Sequence, residues 1–541
     1  MGSQRTVVHL EDDVAGSLAG IMCLIEKLSF TSHLSHMPTR NVKTTYRLCF
    51  LSRCCPLVRV ARPDLARYTA TLRNTVTFAK HFTGRRHCSQ LATTITRMET
   101  NILSVDPQKL GNITFKGSAD DLIDNWDIEY AEGEDYASLK RAAKELVDTD
   151  TPVAFPTETV YGLGADATRS SAVKAIFAAK GRPADNPLIV HFHSLRQLRA
   201  LLSGEQESTS ENIATGRDPI PDIYRPLIER FWPGPLTIIL PAPANSILAP
   251  EVTAGLTTFG ARIPRSILAL SVLRLCDRPL AAPSANASTC PSPTAAEHVF
   301  DDLQGRIHTI IDGGPCEVGV ESTVVDGLSS PPSILRPGGV TVEQLRQCPG
   351  WEHVSIGYKD KQEGGASKPR APGMKYRHYS PKAEVVLFEA GAGEPSLEEL
   401  KTKRSVGIIR TKSWAPALGL DGESNTMNQS NGHTNNMVSA KRTATESSSP
   451  TASMSNLLRS VIQHQIPHAQ QYRLATRDPG IWDIGLGAET EDVARGLFSA
   501  LRELDKKGVD VIYVEGIDDK TGDDIAAAVM NRLRKAAEIR V

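Results

Sequence analysis

The sequence predicts an α/β protein built from two unequal units and a connector. Three observations carry that prediction. From Leu110 to about Val342, short apolar runs rich in Val, Ile and Leu alternate with amphipathic stretches of helical length. The same alternation returns from residue 383 to the end of the chain. Between the two, residues 352 to 380 carry Gly, Lys and Pro without apolar periodicity. Such alternation implies sheets covered by helices, mixed in the first unit and doubly wound in the second.

Taken in order, residues 1–109 read as an N-terminal extension of targeting or disordered character. Residues 37 to 97 are rich in Arg, Ser and Thr, and Asp64 is their only acidic residue. That is the composition of a mitochondrial transit peptide; a disordered basic arm, or translation starting at Met37 or Met98, fits it too. The expected compartment is the cytoplasm, with a mitochondrial form if the arm is an address. Residues 14 to 25 are apolar but follow Glu11, Asp12 and Asp13, the wrong charge for a secretory signal. No run reaches the length and apolarity of a membrane span.

The first unit, 110–345, contains helices over 136–148 and 171–180 and strands at "PLIVHF", "LTIIL", "PLAAP", "HTIIDGG" and "STVVDG". Val153, Ala154 and Phe155 end a further strand, and the polar stretch from Gly204 to Pro221 reads as a loop. The connector, 346–382, closes on "APGMKYRHYSP". The second unit, 383–541, offers strands "AEVVLF", "VGIIR", "YRLAT" and "VDVIYVEG" and helices over 396–403, 454–463, 491–507 and 523–537. An Asn/Ser/Thr-rich insertion, 418–453, is expected to be disordered.

Bulk properties narrow the function. With 61 basic and 62 acidic residues the chain is almost neutral, which argues against a surface devoted to nucleic acid. Nine cysteines are scattered without paired C-x-x-C spacing, so neither a zinc site nor a disulfide framework is expected.

The motifs are more specific. "PTETVYGLG", 156 to 164, sets Thr157, Glu158 and Thr159 in a glycine-bearing bend after a buried strand. Small hydroxyls beside glycines suit close approach by a ligand, and equally an ordinary turn. In "KGRPADNPLIVHFH", Lys180 closes a helix, Arg182, Asp185 and Asn186 occupy the loop that follows, and His191 lies near the end of the next strand. Loops at strand ends are where α/β sheets hold ligands, and Arg and Lys suit phosphate. "FWPGPLTIIL" reads as architectural. In "TFGARIPR", Arg262 sits in an apolar strand and needs an anion, either a structural Asp or a ligand carboxylate. "PLAAPSANASTCPSP" offers Ser284 and Asn286 as hydrogen-bonding groups, with no nearby His or Asp to make Ser284 a nucleophile. "GVESTVVD" and "ILRPGG" add a second glutamate with hydroxyls and Arg336. No Walker A sequence and no G-x-G-x-x-G after a strand is present.

Taken together and in this order, "PTETVYGLG", "KGRPADNPLIVH", "FWPGPLT", "RIP", "APSAN", "GVESTVVD" and "LRPG" resemble the threonylcarbamoyl-AMP synthase family over about 110 to 345. "PGMKYRHYSP" is similar to the linker of its two-domain branch, and the end of the chain to that branch's small domain. The resemblance implies a YrdC/RibB-like mixed twisted α/β domain with a smaller Rossmann-like one. It implies a nucleotidyltransferase: L-threonine, bicarbonate and ATP, with Mg²⁺ carried by the ATP, give threonylcarbamoyl-adenylate and pyrophosphate. A separate transferase complex then uses that product to modify position 37 of ANN-decoding tRNAs; weak direct contact with tRNA is compatible with this, and no membrane is involved. By resemblance Lys180 and Arg182 are catalytic, and Thr159, His191, Arg262, Ala282 and Ser322 bind threonine. Arg182, Asn186, Thr258, Ser284, Asn286, Ser292 and Arg336 bind ATP, and Tyr376, His378 and Tyr379 form a lid. No protein-held metal is implied.

Two other functions compete. A non-enzymatic RNA-binding factor is disfavoured by neutrality and by the lack of interleaved aromatics. The carbamoyl-adenylate chemistry of hydrogenase-maturation proteins uses the same core, but their acylphosphatase and zinc-finger modules are not seen.

Overall fold

The computed structural model describes residues 98–115, 126–204, 218–358, 378–420, 467–474, 477–520 and 525–541. The first unit runs through β1 (Asn101–Ser104), β2 (Gly111–Phe115), β3 (Trp126–Tyr130), α1 (Glu134–Asp148), β4 (Val153–Phe155), β5 (Gly162–Asp166), α2 (Ser170–Lys180), β6 (Ile189–His191) and α3 (Leu195–Ser203). It continues through α4 (Arg225–Phe231), β7 (Leu236–Pro241), α5 (Pro250–Thr253), β8 (Thr258–Arg262), α6 (Ile267–Cys276), β9 (Leu280–Ala281) and α7 (Ala296–Leu303). It ends with β10 (Thr309–Asp312), β11 (Thr323–Asp326), β12 (Ser333–Arg336), α8 (Val342–Arg346) and β13 (Ser355–Ile356). Eleven strands form one mixed sheet in the order β1-β10-β4-β5-β9-β6-β8-β7-β11-β12-β13, with β2 and β3 as a separate antiparallel pair. The central strands are buried on both faces, which explains why they read as continuous apolar runs rather than alternating ones.

Both boundaries of this unit move. β1 lies inside the stretch assigned to the N-terminal extension, yet it pairs in parallel with β10, Asn101 opposite Thr309. A four-residue strand whose partner lies about two hundred positions away leaves little local signature. At the other end, the segment assigned to the connector from residue 346 belongs partly to the core. Trp351 is fully buried against Tyr224, its indole N–H donates to the Ile223 carbonyl at 2.8 Å, and β13 pairs with β12.

The second unit contains β14 (Glu384–Phe388), α9 (Leu397–Thr402), β15 (Val406–Arg410), β16 (Gln470–Leu474), β17 (Arg477–Gly485), α10 (Thr490–Lys506), β18 (Val511–Glu515), α11 (Ala526–Ala536) and β19 (Ile539–Arg540). Its sheet has the order β16-β17-β15-β18-β14-β19 and is parallel except for β16. β17 was not anticipated, because only its "IWDIG" half is apolar. The insertion expected to be disordered over 418–453 does not begin at 418: Leu418 is buried in the short turn Pro416–Gly419 and packs into the core of this unit. Residues 421–453 and the expected helix at 454–463 lie outside the described residues.

The two units share one apolar seam. Val160 and Val320 of the first unit and Tyr379 of the connector join the cluster that holds Ala494, Leu497 and Phe498 of α10. Gly319 makes the contact possible: a Cβ there would stand 2.4 Å from the Ala494 carbonyl oxygen. None of the described helices is long and apolar enough to cross a membrane.

Candidate active site

The turn after β4 is held by its own hydroxyls. Thr157 Oγ1 donates to the Val160 carbonyl at 2.7 Å and accepts from the Thr159 N–H at 3.2 Å. With its proton committed, Thr157 accepts the Thr159 hydroxyl hydrogen across their 2.9 Å separation. Thr159 Oγ1 also accepts from Arg262 Nη1 at 3.0 Å. One lone pair of Thr159 is left to accept from a ligand hydroxyl or ammonium.

Arg262 ends β8, and its register neighbour on β6 is His191. The anion that a buried arginine requires is Glu158, from the first motif, 2.6 Å from Nη2. Glu158 also accepts from the backbone N–H of Arg265 at 3.1 Å. Burial works against this carboxylate, but Arg262 and Arg265 override it and hold its pKa below the ordinary value. Burial drives the His191 pKa down to about 3, with Arg262 adding to the effect, so the ring is neutral near pH 7.

α2 ends on Gly181 in the left-handed conformation, with the Arg182 N–H donating to the Phe177 carbonyl at 3.0 Å. This reversal brings both Lys180 and Arg182 onto the cleft. Lys180 is buried, and Nζ donates to the Ser284 carbonyl and, at 2.6 Å, to the Asn286 carbonyl. Burial, reinforced by Arg182, pushes its pKa well below the ordinary value. Ser284 Oγ donates to Asn286 Oδ1 at 2.6 Å, so the lysine and the S-x-N turn form one polar knot. Arg182 Nη2 donates to the Pro187 carbonyl at 3.0 Å, while its buried Nε has no hydrogen-bond partner among the described residues. Burial lowers its pKa only to about 10, and it stays a cation.

The remaining wall comes from β11, β12 and the turns beside them. Arg336 donates to the Ser322 carbonyl and hydroxyl, and the Ser322 hydroxyl shares a 2.8 Å hydrogen bond with Thr237. Ser292 Oγ donates to Glu321 at 2.5 Å. Burial raises the Glu321 pKa, but Arg532 and then Arg336 bring it down to about 2.

Most of these groups surround one cleft of about 730 Å³, its open mouth included. Lys180, Arg182, Thr159, His191, Arg262, Ala282, Ser322, Ser284, Asn286, Ser292 and Arg336 all face it, as do His378 and Tyr379. Asn186 and Thr258 do not. Thr258 begins β8 at the opposite end from Arg262, and Asn186 is buried beneath its loop, where its carbonyl is 3.5 Å from Arg182 Nη2. Tyr376 lies outside the described residues. Sequence reasoning missed Glu321, which lines the cleft, and Glu158, which stands behind it as the counter-ion of Arg262, although both motifs displayed a glutamate among hydroxyls. Among the described residues no group of three or more His, Cys, Asp or Glu could hold a metal ion.

Residues 145–338 match the family model described as "Telomere recombination", and residues 340–538 match that for "Threonylcarbamoyl-AMP synthase, C-terminal domain". The threonylcarbamoyl-AMP synthase of Schizosaccharomyces pombe is 40% identical over 82% of this chain and 98% of its own length. That of Bacillus subtilis is 40% identical over 74% of this chain and 93% of its own. The crystal structure of P. abyssi Sua5 complexed with L-threonine superposes with a TM-score of 0.55 at 34% identity, covering 82% of this chain and all of that one. With both units matched and relatives covered nearly end to end, the chain belongs to the two-domain threonylcarbamoyl-AMP synthase family.

Proposed function

We propose that this chain condenses L-threonine, bicarbonate and ATP into threonylcarbamoyl-adenylate and pyrophosphate. A separate transferase complex then passes the threonylcarbamoyl group to adenosine 37 of ANN-decoding tRNAs. The observation that carries this reading is the cleft itself, where a hydroxyl-lined, arginine-bearing end built on Thr159, His191, Arg262, Ala282 and Ser322 adjoins a cationic end built on Lys180, Arg182 and Arg336.

The chemistry balances without a covalent enzyme intermediate. The threonine amine attacks bicarbonate, water leaves, and a carbamate remains. A carbamate oxygen attacks the α-phosphorus of ATP, the bond to the β-phosphate breaks, and pyrophosphate departs with the negative charge. Positioning and charge stabilisation carry catalysis. Neutral His191 orients rather than neutralises. Arg182 meets the phosphates directly, and Lys180, tied to the S-x-N turn, fixes Ser284 and Asn286 beside them. Mg²⁺ would come with the triphosphate and would supply charge neutralisation there, since among the described residues the one carboxylate lining the cleft, Glu321, is already engaged by Ser292 and Arg532. His378 and Tyr379 close the cleft mouth against hydrolysis of the adenylate.

Incubation of the purified chain with the three substrates should yield the adenylate and pyrophosphate in equal amounts. Valine should be turned over hardly at all, because a site that hydrogen-bonds a substrate hydroxyl discriminates by roughly 10⁴ or more against analogues lacking it. Pyrophosphate release independent of threonine sinks the reading. Residues 1–97 are proposed to address a longer form to mitochondria, since a chain starting at Met98 keeps all of β1. Identical distribution of tagged chains starting at Met1 and Met98 refutes that address.

A further inference from the structure

The chemistry above gives the C-terminal unit no part, yet one of its arginines reaches into the cleft wall. Arg532, on α11, is 1% exposed. Its Nε donates to Glu321 Oε2 at 3.0 Å and its Nη1 to the Pro337 carbonyl at 2.5 Å. Glu321 lines the cleft and, through its other oxygen, holds Ser292. Pro337 directly follows Arg336, another lining residue. One guanidinium from the second unit therefore ties down three groups of the first: Glu321 directly, Ser292 through it, and Arg336 through the adjoining turn.

A second arginine grips the same wall. Arg502 of α10 pairs with Asp302 through two hydrogen bonds of 3.1 and 2.7 Å and donates through Nε to the Pro291 carbonyl at 3.1 Å. Asp302 in turn accepts from the Ala287 N–H at 3.0 Å. Ala287 and Pro291 lie within the turn that runs from Asn286 to Ser292. An ordinary domain-docking pair looks different: Lys506 and Asp301, 2.6 Å apart, join the units at side chains half and two-fifths exposed.

We propose that Arg532 is a positioning residue for the nucleotide half of the cleft, acting through Glu321 and the Pro337 carbonyl. Two physical consequences follow. Its fork sets the distance between the Glu321 and Arg336 segments, which a single point charge cannot do. It also neutralises a buried carboxylate that otherwise faces the triphosphate as a like charge. The C-terminal unit is in this sense part of the ATP site. The inference rests on the synthase reading above.

The test is steady-state kinetics on the full chain, with ATP and threonine varied separately and ATP binding measured without turnover. Arg532→Ala should raise KM and Kd for ATP roughly 10- to 100-fold, with KM for threonine within about threefold of the parent. Adding Glu321→Gln to Arg532→Ala removes the orphaned charge and should recover most of the ATP affinity. Lys506→Ala should match the parent. If Arg532→Ala does not fold, Arg532→Lys is read instead; it keeps the charge but reaches only one acceptor, and should raise KM for ATP roughly three- to tenfold. Parent-like ATP affinity in the folded Arg532 variant, an equal rise for threonine and ATP, or no recovery in the double variant overturns the proposal. A parent chain that makes no adenylate overturns the synthase reading instead, and the ATP-binding arm still decides the role of Arg532.

Discussion

Arg262 commits donors to the Gly234 carbonyl, the Thr159 hydroxyl and Glu158, and so stitches the strand β8 to the turn that carries the first motif. Its pair with Glu158 is buried on both sides, at 5% and 2% side-chain exposure. Glu158→Gln keeps the shape but leaves a buried cation without its counter-charge, and should cost about 3–5 kcal/mol of stability in urea unfolding. An unchanged midpoint contradicts a structural role for the pair. The sequence required an anion for Arg262 and left open whether it was an acid or a ligand; the answer lay 104 positions away, beyond any local pattern. Arg182 behaves differently, because its Nε has no hydrogen-bond partner among the described residues. Arg182→Ala should leave folding intact and lower the rate of adenylate formation by on the order of 10² or more, the equivalent of about 2–5 kcal/mol. Wild-type rates from the folded variant remove Arg182 from the site.

At the scale of elements, the site depends on chain reversals as much as on side chains. Gly181 lets α2 stop and its last turn face the cleft. Gly338 lets the turn after β12 lie flat on the backbone entering β11: a Cβ there would stand 2.3 Å from backbone atoms of Glu321, Ser322 and Thr323. Gly338→Ala should therefore destabilise the protein by about 1–3 kcal/mol and displace Glu321 and Arg336 together. Melting temperature and KM for ATP should both worsen; a change in neither refutes the close approach. Helices and central strands were legible because periodicity and apolar runs report burial locally. β1, β13 and β17 were not, since each is fixed by a partner strand rather than by its own residues.

Across the whole molecule, buried histidines couple folding to pH. Burial pushes His191 down to about 3, and His298 likewise, with Arg502 adding to the effect there. Both bind fewer protons folded than unfolded between that value and the ordinary pKa of 6.5. Stability contributed by their neutral forms is full above pH 6.5 and is lost progressively as pH falls toward 3. Below pH 4.5 Glu321, held down to about 2, adds a loss of the same sign. Unfolding free energy should drop by at least about 2 kcal/mol between pH 7.5 and 5; a flat profile over that range contradicts neutral burial of the two rings.

The sequence by itself determined the fold class, the order of the motifs and the residue types that phosphate and threonine demand, because each is written in periodicity or in contiguous residues. Only the tertiary structure decided which groups meet. Glu158 answers Arg262, the S-x-N turn consumes the Lys180 ammonium, and Arg532 reaches Glu321 from 211 positions away. Such pairings depend on sheet order and on how two units dock, and a buried charge reveals from its neighbours in sequence only that it needs a partner, never which one the fold supplies.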